Sequence, residues 1–210
     1  MQKTATVPLR ERNRLDTWAL IHDKASAMAL DVGPTKTTVE AIAEASGVSK
    51  RTFFNYFATK EDAIMGTQPP TLPDEAVAVF REDSGSDLLG RTTHLMIAVI
   101  RTMFPEASQR ERRTALKAKY PELSRAVFQH ISASEDLVEM ILVDRYDEDS
   151  PEFARAGLPG GRDEAKALLM LTGTAVRFAF GRDPAAVSAT DSKSVEESVA
   201  IFREAMRASL

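Results

Sequence analysis

The chain has 210 residues, no cysteine and a formal net charge of -4. That length permits one large domain or a small domain joined to a larger one, and the missing cysteines exclude disulfides and thiolate metal sites. Helix formers such as Ala, Glu, Leu, Arg and Met are abundant while alternating Val/Ile/Thr runs are scarce, so the expected fold class is all-α.

The N-terminus, MQKTATVPLRERNR, has no apolar h-region, and no apolar stretch is long enough to span a bilayer; a cytoplasmic protein is expected. The charge is unevenly placed. Residues 1–60 hold nine Lys/Arg against six Asp/Glu, whereas the remainder holds 18 against 25. A basic head on an acidic body is the asymmetry expected when one end meets a polyanion.

Trp18, Ile21, Ala25, Met28 and Val32 recur at helical spacing and predict a first helix of about four turns, ended by Gly33-Pro34. Thr37 with Glu40 reads as a capping box for a short second helix built on Val39, Ile42, Ala43 and Ala45. Ser46-Gly47 stops that helix and Val48 plugs the turn. Ser49 then caps a third helix, Lys50 to Phe57, and Thr59 with Asp62 starts a fourth. Short helix, glycine-containing turn and short helix describe a helix-turn-helix. Phe53 and Phe57, four residues apart, are expected to face the core with Val48. Lys50, Arg51, Thr52, Asn55 and Tyr56 fall on the outer side. Phe54 fits either core packing or a place beside a sugar-phosphate backbone.

The stretch "TTVEAIAEASGVSKRTFFNYFATKEDAI" resembles the DNA-binding domain of the TetR family of bacterial transcriptional regulators, with the likeness running from about Arg10 to Ile64. Ala29 departs from the pattern, since many members carry a bulky aromatic there. The resemblance implies a DNA-binding domain over residues 1–65 and a helical ligand-binding and dimerisation domain over 66–210. It implies phosphate contact by Thr38 at its helix N-terminus, and a recognition helix opened by Ser49, Lys50, Arg51 and Thr52. Arg51 suits guanine, and Asn55 suits either adenine, a phosphate or a cap. Tyr56 and Lys60 would position the DNA backbone. Arg10, Arg12 and Arg14 read as an N-terminal arm or a solvated start.

Farther on, Gly66, Pro69, Pro70 and Pro73 rule out a continuous helix, whereas many family members extend their fourth helix here. A short helix over about 74–83, a turn at 84–86, and helices over 87–104, 107–119 and from Pro121 to about Asp147 are expected. Residues 150–162 read as a loop, 164–181 as a helix apolar nearly all round, and the chain ends in an amphipathic helix striped by Val195, Val199, Phe202 and Met206. His22, His94 and His130 lack metal-ligand spacing, GLPGGRDE lacks the Lys-Ser/Thr of a P-loop, and Asp144, Asp147, Glu148 and Asp149 read as a solvated helix end. No catalytic constellation, metal site or cofactor is expected.

By resemblance, the body binds a small apolar or amphipathic effector, and its last two helices pair with a second copy. Polar groups on apolar faces and adaptable walls give the candidate pocket residues: His94, Arg101, Phe104, Phe128, His130, Met140, Thr174, Arg177 and Phe178. The candidate dimer residues are Leu169, Val176, Val195, Val199, Phe202 and Met206. "KYPELSRAV" is similar to a stretch in family members thought to sense acyl-type ligands. The expected function is a ligand-responsive, homodimeric transcriptional regulator, acting as a repressor on a palindromic operator. The alternatives are a ligand-independent architectural DNA-binding protein, and a helical enzyme or scaffold that retains the head.

Overall fold

A computed structural model describes residues 9–82, 87–105, 109–143, 162–182 and 193–208. Among them the elements are helical throughout: α1 (Leu9–Val32), α2 (Val39–Ala45), α3 (Lys50–Tyr56), α4 (Lys60–Met65), α5 (Asp74–Glu82), α6 (Leu88–Thr102), α7 (Arg110–Lys119), a 3-10 turn (Pro121–Leu123), α8 (Ser124–Val143), α9 (Arg162–Arg182) and α10 (Lys193–Ala208). The expected turn at 84–86, the acidic group at 144–149, the loop at 150–161 and the connection at 183–192 lie outside the described residues.

The chain divides into two compact units. The first joins Met1–Gln68 with Phe104–Phe128, and the second joins Pro69–Met103 with Gln129–Leu210. The break near Gln68 lies close to the expected 65/66 boundary. Residues 104–128, which the sequence suggested belong to the body, group with the head instead.

The first unit is built around three aromatics. Trp18, Phe53 and Phe57 are almost fully buried, with Trp18 and Phe57 ring centroids 5.3 Å apart and Phe53 and Phe57 5.9 Å apart. Ile21, Ala25, Ala29, Ile42, Ala63, Ile64 and Met65 fill the remaining space, and Leu116 and Leu123 close the same core from α7 and the 3-10 turn. The buried face of α1 thus runs through Trp18, Ile21, His22, Ala25, Ser26 and Ala29, while Met28 is only half-buried and Val32 is exposed. The apolar spacing read from sequence drifted off this face because two polar residues sit on it. Ala29, where many tetR-type sequences carry a bulky aromatic, is itself buried in this core.

Charge and polarity fasten α7 to α1. Arg112 Nη1 donates to Asp23 Oδ1 at 2.6 Å and to Ser26 Oγ at 3.0 Å. Lys119 Nζ donates to the Leu30 carbonyl at 2.8 Å, near the C-terminus of α1, where a cation also meets the negative end of the helix dipole.

In the second unit α6 packs on α5, α9 and α10, burying Leu89, Leu95, Met96, Ile97, Val99 and Ile100. Asp87 caps α6, its Oδ1 accepting from the Gly90 amide at 3.0 Å, and Arg203 of α10 pairs with the same carboxylate. Ala165, Leu169, Thr172, Ala175, Val176 and Ala179 form the buried stripe of α9.

Candidate nucleic-acid interface

The presentation of α3 begins with its caps. Ser46 ends α2, and Gly47 then takes φ +65, a left-handed conformation that costs L-residues about 1–2 kcal/mol but glycine little. This lets the chain reverse and the Val48 amide reach back to the Ala43 carbonyl at 2.9 Å. Ser49 Oγ accepts from the Thr52 amide at 3.0 Å and pairs with the Thr52 hydroxyl at 2.8 Å, so these two side chains are tied to each other at the start of the helix.

The cap of α2 differs from the expected box. Thr38, not Thr37, is the N-cap, with Oγ1 accepting from the Ala41 amide at 3.2 Å. Thr37 is buried, its hydroxyl donating to the Gly33 carbonyl at 2.9 Å. Glu40, shifted one place out of register for the box, instead accepts from Lys50 Nζ at 2.5 Å.

Beyond the caps, α3 has two faces. Phe53 lies inward with no exposed surface, and Tyr56, expected on the outer side, instead packs half-buried on the same core because it lies about one turn from Phe53 and next to Phe57 in the chain. Lys50, Arg51, Phe54 and Asn55 are exposed. The two uses left open for Phe54 are thereby narrowed: it is not core, and its ring meets that of Phe53 edge-on, centroids 5.4 Å apart. Arg51 has no hydrogen bond or ion pair among the described residues, whereas Lys50 is paired with Glu40.

Lys60, at the start of α4, donates through Nζ to the carbonyls of Pro34 at 2.9 Å and Thr37 at 3.1 Å. Two of its three N–H donors therefore hold the loop between α1 and α2, so its first role is in the fold. Arg10, Arg12 and Arg14 belong to the exposed first turns of α1, not to an arm. Sequence reasoning read His22 only as an isolated histidine without metal-ligand spacing. Its position on the buried stripe of α1, four residues from Trp18, was the available signal. Its imidazole is enclosed, Nδ1 donates to the Ala63 carbonyl of α4 at 2.8 Å, and burial pushes its pKa down to about 4. Gly66, the left-handed C-cap of α4, lies against that ring, and a Cβ there would come within 2.7 Å of it.

A model of the bacterial regulatory proteins of the tetR family matches residues 21–62. Those residues run from the second half of α1 through the α2–Gly47–α3 turn into α4. Residues 21–62 thus carry a tetR-type helix-turn-helix. That match implies a DNA-binding transcriptional regulator with an N-terminal helix-turn-helix. No curated protein matches the chain.

The regulator's other predicted residues lie outside that match. Of the nine pocket candidates, Phe104 and Phe128 group with the first unit and the other seven with the second. Phe128, His94, Met140, Thr174, Arg177 and Phe178 are exposed. Phe104 lies under the Arg113 guanidinium at 4.9 Å, His94 Nδ1 bonds to the Gly90 carbonyl at 2.8 Å, and Thr174 and Arg177 bond to each other at 3.2 Å. Arg101 and His130 are half-buried.

Four of the six predicted dimer residues, Leu169, Val176, Val195 and Val199, are buried in the regulator's own second unit, and Phe202 and Met206 are half-buried. The amphipathic stripe on α10 marks intrachain packing against α6 and α9. On α9 and α10 the large apolar side chains left exposed are Met170, Leu171, Phe178 and Ile201. Among the described residues, no helix is long and apolar enough to cross a membrane and no metal-binding group occurs.

Proposed function

We propose that this regulator is a cytoplasmic repressor that binds a palindromic double-stranded operator as a homodimer. A small apolar or amphipathic molecule taken up by its C-terminal domain, residues 66–210, releases it from the operator. DNA binding is assigned to residues 1–65. The observation that carries the reading is the exposed stripe Lys50–Arg51–Phe54–Asn55 on a short helix capped by Ser49 and anchored by Phe53. Recognition helices read base edges with residues near their N-termini, so Lys50, Arg51 and Thr52 address the groove, Arg51 suiting guanine O6/N7. Asn55 contacts adenine or phosphate, and Thr38, Ser49 and Tyr56 position the DNA backbone. Lys60 supports the loop that presents Thr38.

Two-fold pairing supplies the second recognition helix that a palindrome requires. The uncovered apolar side chains of α9, with Ile201, supply a surface for that pairing. A released state further requires that the effector bind one conformation more tightly than the other. Gel shifts on the regulator's own upstream region test this reading. Wild type is expected to bind specifically, and changing Lys50 and Arg51 together to Ala should abolish binding without unfolding the head. Unchanged binding by that double variant would remove the site assignment, and binding indifferent to every small molecule tried would favour the ligand-independent alternative.

A further inference from the structure

Three of the four exposed side chains on α3 (Lys50, Arg51 and Asn55) are polar groups suited to DNA, and the fourth is a phenyl ring. Phe54 is 54% exposed. Single apolar side chains are ordinary on protein surfaces, so exposure alone carries nothing. Its place on the helix does. At 3.6 residues per turn Phe54 stands roughly 40° from Lys50 and about 60° from Arg51, between the two cations. A duplex whose base edge Arg51 reaches with its fork therefore also brings a neighbouring base edge to the ring. The phenyl offers phosphate no hydrogen bond. In the major groove, the apolar group on a base edge is the C5-methyl of thymine. The edge-on contact with buried Phe53 also restricts the ring, so little rotamer freedom remains to be lost on binding.

We infer that Phe54 is a specificity-determining residue that packs on a thymine methyl in each half-site, beside the base read by Arg51. The inference rests on the operator-binding reading above, and it deepens that reading by naming a base the hydrogen-bonding residues do not select.

The test begins with an operator selected from randomised duplexes. Each thymine is then replaced in turn by deoxyuridine, which lacks only the methyl group. Wild type is expected to bind about fourfold more weakly for each contacted methyl removed, at one thymine position per half-site. Phe54→Ala should bind the unmodified operator more weakly and show no further loss with uridine at that position. Phe54→Leu, which keeps an apolar surface, should retain part of the methyl sensitivity and serves if the alanine variant folds poorly. Wild type indifferent to uridine at every position, a uridine loss undiminished in both variants, or a selected operator without thymine would each overturn the inference while leaving operator binding intact. Selection that enriches no sequence would remove the operator-binding reading itself, and this inference with it.

Discussion

His22 is the residue at which a polar side chain is used as core. Burial is the main reason its pKa falls to about 4, with the Arg113 and Arg112 guanidinium groups acting in the same direction. Because the folded value lies below the unfolded one, the folded head excludes a proton that the unfolded chain accepts. The contribution is fully present above pH ~6.5 and is lost as pH falls toward ~4. Between pH 7 and 5 the head should lose about 2 kcal/mol of stability from this group. Trp18, the chain's one tryptophan, is buried 5.5 Å from that imidazole and reports the unfolding. Urea titrations followed by its fluorescence should show this dependence in wild type and a flatter one in His22→Gln; equal slopes would mean the imidazole titrates normally in the fold.

Glu40 presents a second residue-scale question, because Lys50 holds its carboxyl below the usual carboxylate range. Both side chains are well exposed, so the pair contributes little to stability. Its consequence lies in binding, since the carboxylate occupies an ammonium that DNA would otherwise engage. Glu40→Gln should tighten operator binding and steepen the salt dependence, log K against log salt, by up to about one unit per head. Affinities measured across a salt series decide this, and an unchanged slope would place Lys50 away from phosphate.

At the scale of elements, α7 belongs with the head. Leu116 has no exposed surface within the core formed by Trp18, Phe53 and Phe57, and Arg112 and Lys119 bond to α1. Leu116→Ala should therefore destabilise the unit reported by Trp18 by about 2–5 kcal/mol, as large-to-small changes in a packed core do. An unchanged Trp18 unfolding transition would show that α7 can leave without disturbing the head. Nothing local in RERRTALKAK announces this partner. Its single Leu and its many charges read as a solvated helix, and its two tethers join residues that are 89 positions apart in the chain. By contrast, α3 and α4 were legible because their signals are local: Ser49 and Thr59 cap within three residues, and Gly47 permits the one backbone turn that joins α2 to α3, while the α2 cap was read one residue early, at Thr37 in place of Thr38.

For the whole molecule, the open quantity is the number of copies that bind the operator. Met170 is 74% exposed on α9, so a charge there disturbs no internal packing. Met170→Glu is expected to leave the chain's own stability within about 0.5 kcal/mol. If the proposed homodimer forms through this face, sedimentation of Met170→Glu should show more monomer than wild type, and operator binding should weaken correspondingly. A dimer that persists would move the pairing surface off this face.

The sequence by itself determined the helical class, the caps of α3 and α4, the turn of the helix-turn-helix, and the outward set Lys50, Arg51 and Asn55, because each rests on periodicity or on contacts within a few residues. It placed Val195, Val199, Leu169 and Val176 on apolar stripes but did not say what covers them. An apolar stripe records that a helix must bury one face; which neighbour does so depends on contacts between distant segments. Only the tertiary structure assigned those four residues to the chain's own interior, turned Met170 and Phe178 outward, brought residues 104–128 to the head, and left Phe54 in the open beside Arg51.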